Sequence, residues 1–163
     1  MIYFLSLGSN LGNRPANLAR ARKLLREGGI EVLRASSIYE TEPVGHLDQP
    51  WFMNQALQVR SSLEPHALLG LAKSIEARMK RVPTVPQGPR TIDIDILLAG
   101  DIVLDTPDLV IPHPRLAQRN FVLVPLCEIA PEIRHPVLGK TIRELALSCS
   151  DPARVMVKKR RPA

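Results

Sequence analysis

Cysteine, aromatic side chains and long apolar runs are all scarce in this 163-residue chain. Its two cysteines, Cys127 and Cys149, lie far apart and form no C-x-x-C pair, which argues against a disulfide framework and a cysteine-based zinc site. No apolar run approaches the length of a membrane span, and the opening Ile-Tyr-Phe-Leu-Ser-Leu is too short for a signal sequence. We therefore expect a soluble cytoplasmic protein without membrane association.

The shortage of aromatic residues also argues against nucleic-acid binding. The net charge is +6, but Lys158, Lys159, Arg160 and Arg161 supply four of these charges. Aromatic residues make up 4% of the chain and do not alternate with basic ones, as a base-stacking surface would require. We interpret 158–163 as a flexible basic tail rather than a nucleic-acid arm, and the remaining positive charge suits a small anionic ligand.

Residues 1–157 are expected to form a single domain with a core of their own. Hydrophobic periodicity and helix-terminal residues predict these elements in order: strand 2–8, helix 15–27, strand 30–39, strand 52–60, helix 65–81 and a strand ending at Leu98. A short hairpin and helices near 116–128 and 141–148 follow. The order β-α-β-β-α-β predicts an α+β fold with a ferredoxin-like antiparallel sheet, flanked by helices mainly on one face.

The segment 87–98 carries the clearest chemical signal. Ile92, Ile94 and Ile96 alternate with Asp93 and Asp95, as expected for a strand with one buried face. On the other face the two aspartates would lie about 6.5 Å apart, a spacing at which both can reach one cation. Oxygen ligands of this kind suit Mg²⁺. The alternative is an ordinary half-exposed strand with a polar face.

Basic residues near this strand are candidates for phosphate binding. Arg90 precedes it and offers a planar guanidinium suited to phosphate oxygens. His113 lies in the stiff segment Ile111-Pro-His-Pro-Arg115, where it has either a structural role or a contact with phosphate. The sequence Gly8-Ser-Asn-Leu-Gly12 follows the first strand but lacks the lysine and hydroxyl of a phosphate-binding loop, so we interpret it as a tight turn.

Taken in order, the motifs resemble those of 6-hydroxymethyl-7,8-dihydropterin pyrophosphokinases of folate biosynthesis. The resemblance covers nearly the whole chain and is carried by Leu7–Gly12, Tyr39–Gly45, Asp48–Asn54, Gly88–Asp95, Ile111–Arg115, Arg119–Pro125 and Glu128–Pro131. It implies an ATP-dependent enzyme that transfers the β,γ-pyrophosphoryl group to the pterin hydroxymethyl oxygen and releases AMP. It also implies two Mg²⁺ ions, with ATP and the pterin as partners. We expect a monomer that binds neither nucleic acid nor a membrane.

The resemblance also implies residue roles. Asp93 and Asp95 would hold the metal ions, and Arg81 and Arg90 would assist catalysis. ATP would contact Lys73, Glu76, Arg90, Ile96, His113 and Arg119. The pterin would contact Thr41, Pro43, Val44, Phe52, Asn54 and Phe121. For Phe52 and Phe121, ordinary core packing is the alternative to a pterin sandwich.

The departures from the family pattern lie mainly in the proline-rich segment 82–89, which we expect to be a lid. Pro83 and Gln87 replace an arginine and a tryptophan that the family commonly has there, and Lys73 replaces a glutamine. Two rival functions remain open: a ferredoxin-like nucleic-acid-binding module and an inactive relative that only binds the ligands. Formation of AMP from ATP would distinguish the enzyme from both.

Overall fold

The first strand and helix form as their sequences predict. The structure, a computed structural model, describes residues 1–44, 48–79 and 91–159. Strand β1 (Ile2–Ser9) is buried along almost its whole length. Helix α1 (Arg14–Glu27) begins after Asn13, whose side-chain oxygen accepts a hydrogen bond from the Ala16 N–H at 3.1 Å. This side-chain cap satisfies one of the free N–H groups of the first turn.

The remaining elements follow the predicted order, with one additional strand at the end. In chain order they are β2 (Glu31–Ala35), β3 (Ile38–Thr41), β4 (Phe52–Arg60), α2 (Pro65–Arg78), β5 (Asp93–Ala99), β6 (Leu104–Asp105), β7 (Val110–Ile111), a 3₁₀ helix (Leu116–Gln118), α3 (Asn120–Ile129), α4 (Ile142–Ser148) and β8 (Val155–Lys159). The predicted strand 30–39 is divided at Ser36, whose hydroxyl accepts the Ala56 N–H at 2.9 Å. A side chain thus takes the place of a backbone partner in the ladder.

The main sheet is antiparallel throughout, with strand order β5-β1-β4-β3-β8, and β2 pairs with β4 beside β3. Strand β1 therefore lies between β4 and β5, and α1 and α2 each connect two strands of the sheet. This arrangement confirms the predicted ferredoxin-like α+β fold. Strands β6 and β7 form a separate two-stranded hairpin.

Helices cover both faces of the sheet, so the expectation that they lie mainly on one face was wrong. Residues of α1 and α2 pack with Leu5 and Leu7 of β1 in one core. Residues of α3 and α4 pack with Phe4 and Leu98 in a second core on the opposite face. The reason is that β1 and the end of β5 are apolar on both sides. A strand of that kind needs cover on both faces.

The last strand, β8, was not predicted. It pairs with β3, and the Lys158 Nζ lies 3.4 Å from the Glu40 Oε2. Lys158 and Lys159 belong to this strand, which therefore runs across the boundary predicted at residue 157; residues 160–163 lie outside the described part. Within the described part of the chain, no helix has the length and apolar character needed to span a membrane.

Candidate active site

A cavity of about 420 Å³ opens where β5, β1 and β4 lie side by side. It brings together most of the residues that the sequence singled out. The predicted pterin-binding residues that line it are Thr41, Val44, Phe52, Asn54 and Phe121. The predicted metal and ATP ligands that line it are Lys73, Asp93, Asp95, His113 and Arg119.

The two aspartates occupy adjacent outward positions of an edge strand. Asp93 pairs with Gly8 and Asp95 with Ser6, so both extend from the face opposite Ile94. The outer edge of β5 is held by Glu76, whose Oε2 accepts the Ile94 N–H at 2.9 Å. This bond satisfies a backbone donor that an edge strand would otherwise leave unpaired.

Burial and neighbouring carboxylates disfavour the charged form of Asp95. Burial, followed by the charges of Asp93 and Glu76, raises the pKa of Asp95 to about 7. Lys73 and Arg119 act in the opposite direction but do not compensate. A carboxylate in this situation gains from any cation brought next to it.

These carboxylates fit a magnesium ion. Mg²⁺ is usually bound through one or two carboxylates, with water and substrate phosphate completing its shell. Within residues 1–44, 48–79 and 91–159, no three His, Cys, Asp or Glu side chains are placed to enclose a metal. Asp93 and Asp95 thus suit a metal that arrives with a phosphate ligand.

A wall of basic side chains shares the cavity with the aspartates. His113, Arg115 and Arg119 all line it. Burial lowers the pKa of Arg119, and the neighbouring Arg115 lowers it further. The guanidinium of Arg119 stacks over the Phe121 ring at 5.4 Å from its centroid. This wall therefore has the charge and the planar donors that an anionic ligand requires.

His113 is oriented by its backbone neighbours. The His113 backbone N–H donates to the Leu97 backbone oxygen at 2.9 Å. The ring Nδ1 accepts the Arg115 backbone N–H at 3.2 Å. Burial lowers the pKa of His113, and the charges of Arg119 and Arg115 lower it further. A neutral ring that accepts at Nδ1 carries its proton on Nε2. His113 thus offers an Nε2–H donor, as phosphate oxygens require.

The other half of the cavity suits a flat heterocycle. The Asn54 Nδ2 donates to the Thr41 Oγ1 at 2.5 Å, which fixes the amide orientation. Phe52 and Phe121 line the same cavity and are only partly buried. Both side chains are therefore accessible from the cavity. An oriented amide beside aromatic side chains is suited to the polar edge of a planar ring system.

Several predicted site residues lie elsewhere. Ile96 is 4% exposed and its side chain belongs to the core, so a contact with ATP would have to use its backbone. Pro43 is buried beside Val44, and Glu76 is 3% exposed. The predicted catalytic residues Arg81 and Arg90 lie outside the described residues, as do Pro83, Gln87 and the rest of the expected lid.

Sequence reasoning also missed cavity residues. Arg115 belongs to a predicted motif but has no predicted role, and Ser6 and Gly8 are not among the predicted lining residues. No local pattern in the sequence indicates that Ser6 and Gly8 line the cavity. Their contribution depends on the register that places them opposite Asp95 and Asp93.

Comparison with known proteins identifies the family. Residues 4–131 match the family described as 7,8-dihydro-6-hydroxymethylpterin-pyrophosphokinase (HPPK). The chain belongs to this family. The predicted resemblance is thereby confirmed, and with it the assignment to a family of enzymes.

Two bacterial relatives are similar over most of their length. Both are named 2-amino-4-hydroxy-6-hydroxymethyldihydropteridine pyrophosphokinase. The one from Methylorubrum extorquens is 44% identical over 151 residues, which is 92% of this chain and 94% of the relative. The one from Bacillus subtilis is 44% identical over 133 residues, or 81% and 80%.

Other relatives are much longer. The "Folic acid synthesis protein fol1" of Pneumocystis carinii is 42% identical over 139 residues, which make up 85% of this chain but only 19% of that protein. A crystal structure of wild-type Plasmodium falciparum HPPK-DHPS superposes with a TM-score of 0.71 at 20% identity, covering 90% of this chain and 44% of that one. The superposition supports the fold.

Proposed function

We propose that this chain transfers the β,γ-pyrophosphoryl group of ATP to the hydroxymethyl group of 6-hydroxymethyl-7,8-dihydropterin and releases AMP. The hydroxymethyl oxygen forms a bond to the β-phosphorus, and the bond from that phosphorus to the α,β-bridging oxygen breaks. This activity belongs to folate biosynthesis. It is consistent with the names of the two full-length bacterial relatives and with the family match.

One observation carries the proposal: an acidic pair and a basic wall line the same cavity as an amide and two partly exposed phenylalanines. A nucleoside triphosphate with a metal requires the first two groups. A pterin requires the last two. Their meeting in one cavity supports a reaction in which an acceptor hydroxyl meets a triphosphate, as pyrophosphoryl transfer demands.

The chain acts mainly by positioning, since phosphoryl transfer demands little covalent chemistry from the protein. Arg119 and Arg115 bind the triphosphate and neutralise its charge, and the His113 Nε2–H donates to a phosphate oxygen. Asn54 pairs with the polar edge of the pterin, and Phe52 and Phe121 hold its ring. Holding both reactants in one orientation removes much of the entropic part of the barrier.

Asp93 and Asp95 are the residues that would hold Mg²⁺, and we propose two ions. When bound, the metal polarises phosphoryl oxygens and neutralises their charge. The Lys73 Nζ lies 3.5 Å from the Glu76 Oε1, at the edge of this acidic group. We further propose that the chain acts as a monomer, with ATP and the pterin as its partners.

The products provide the test. The purified chain, incubated with ATP, Mg²⁺ and 6-hydroxymethyl-7,8-dihydropterin, should form AMP and the pterin pyrophosphate in equal amounts, measured by chromatography and ³¹P NMR. Formation of ADP, or absence of AMP, would contradict the proposal. Arg60→Ala is the matched control, because it removes an exposed ion pair with Glu31 on the strand surface and should leave AMP formation unchanged.

A further inference from the structure

The segment 151–154, which we call the C-terminal bridge, contacts both walls of the cavity. It lies beyond residue 131, where the family match ends. At one end, Asp151 is bonded to the start of α3, which follows Arg119 and carries Phe121. At the other end, Arg154 is bonded to Glu42, which lines the opposite wall.

Asp151 supplies the cap that α3 lacks. The side chain of Arg119, the residue before the helix, does not cap it. Instead, the Asn120 N–H donates to the Asp151 Oδ2 at 3.0 Å, and the Asn120 Nδ2 donates to the Asp151 backbone oxygen at 2.9 Å. The other carboxylate oxygen accepts the Ala153 N–H at 2.9 Å. A carboxylate at a helix N-terminus satisfies free N–H groups and interacts favourably with the helix dipole.

Arg154 holds the segment that follows β3. Its backbone N–H donates to the Glu42 Oε1 at 2.5 Å, and its backbone oxygen accepts the Glu42 N–H at 3.0 Å. The side-chain Nε lies 3.3 Å from the same Glu42 Oε1. Its guanidinium also stacks over Trp51, 5.1 Å from the ring centroid. Glu42 lies between Thr41 and Val44, and Trp51 directly precedes Phe52.

These contacts contribute little to folding stability but connect the two cavity walls. The Arg154 side chain is 69% exposed, and an exposed ion pair contributes only about 0–1 kcal/mol to folding. Yet the four residues of the bridge join the helix that carries Phe121 to the segment that carries Thr41 and Val44. Resting on the proposed function, we propose that Asp151 and Arg154 are positioning residues that set the separation of the two pterin-binding walls.

The test measures pterin affinity by calorimetry, at saturating Mg²⁺ and a non-hydrolysable ATP analogue. Arg154→Ala removes the Nε contact with Glu42 and the stacking on Trp51 but keeps both backbone bonds to Glu42. It should weaken pterin binding about three- to tenfold, because small misplacements of binding groups are costly. Its affinity for the ATP analogue alone should stay within about twofold, since Glu42 and Trp51, which Arg154 contacts among the described residues, lie on the pterin side. Arg154→Lys, which keeps a cation beside Glu42 and Trp51, should fall between wild type and Arg154→Ala.

Arg60→Ala is the control, because Arg60 and Glu31 form a comparable ion pair, with side chains 57% and 60% exposed, away from the cavity. It should leave pterin affinity unchanged, and its melting temperature should match that of Arg154→Ala. Trp51 is the only tryptophan in the chain, so its fluorescence reports directly on the bridge. The emission should change in Arg154→Ala and not in Arg60→Ala.

A double mutant separates a bridge from two independent contacts. If the Asp151 and Arg154 side chains act through one connection, removing either of them loosens it, and the double alanine variant should bind pterin no more weakly than the weaker single variant. Additive losses, or wild-type affinity in Arg154→Ala, would overturn the inference while leaving the proposed function intact. Failure of the wild-type chain to bind pterin would overturn both.

Discussion

Gly8 lies so close to Asn54 that a Cβ added at position 8 would come within 2.7 Å of the Asn54 Oδ1. Asn54 is held in place by its bond to Thr41, so it can move aside only by losing that bond. The glycine therefore allows the amide to occupy the pterin half of the cavity. Gly8→Ala should displace Asn54 and raise the KM for the pterin by about tenfold or more, since a buried polar partner is lost.

Gly70→Ala provides the matched control for that prediction. Gly70 lies within α2, and a Cβ there would meet nothing within 4 Å. Alanine is favoured over glycine in a helix by about 0.5–1 kcal/mol, so this variant should be slightly more stable and fully active. Equal pterin KM values in the two variants would show that space at Gly8 does not orient Asn54.

The metal ligands are expected to separate activity from stability. Asp95→Asn keeps the shape of the side chain but removes a charge that its neighbours repel. Turnover at saturating Mg²⁺ should fall by several orders of magnitude, and the same holds for Asp93→Asn. Without metal, Asp95→Asn should melt at a higher temperature than wild type, because one buried like charge is gone. Near-normal turnover in both variants would contradict the metal assignment.

The stabilisation by Asp95→Asn should depend on pH. The pKa of Asp95 is raised from 3.8 to about 7 in the folded chain, so the folded state binds this proton more tightly than the unfolded state. Its contribution to stability is present below pH 3.8 and is lost as the pH rises to about 7. The difference in melting temperature between Asp95→Asn and wild type, measured in EDTA, should therefore be larger at pH 8 than at pH 4.5.

His113 should give the opposite dependence. Its pKa is lowered below the ordinary 6.5, so the unfolded state takes up the proton first as the pH falls. The stability that comes from a neutral His113 is present above pH 6.5 and declines as the pH falls toward the lower folded pKa. The free energy of unfolding, measured in urea at about pH 7.5 and about pH 5.5, should fall less between these two pH values in His113→Gln than in wild type. Some loss should persist, because burial also lowers the pKa of His135.

Arg119 is expected to serve both ligands. A charge-assisted hydrogen bond contributes about 1.5–3 kcal/mol, so Arg119→Ala should weaken ATP binding by about one to two decades. It should also weaken pterin binding, because the guanidinium stacks on Phe121 and helps to fix that ring. Arg119→Lys should recover part of the ATP affinity, since the charge remains, but little of the pterin affinity. Titration of each ligand separately checks both statements.

The parts of the site that were predicted share one property: they are encoded by local patterns. The alternation of isoleucine and aspartate in 92–96 determines which face is buried, and Ile92, Ile94 and Ile96 are indeed in the core. The division of the strand at Ser36 was not predicted, because it depends on a hydroxyl accepting an N–H from a distant strand. The position of Arg115 in the cavity likewise depends on how its loop is held against β5.

By itself, the sequence determined the order of the main strands and helices, the ferredoxin-like sheet, the family and the acidic pair on β5, since hydrophobic period and motif order are properties of neighbours along the chain. The tertiary structure alone decided which helices cover the second face and which residues meet across the cavity. It also decided that residues 151–154 connect α3 to the segment after β3, through contacts 31 and 112 residues apart. Contacts over such separations leave no periodic signal, because they are selected by the packing of the whole fold.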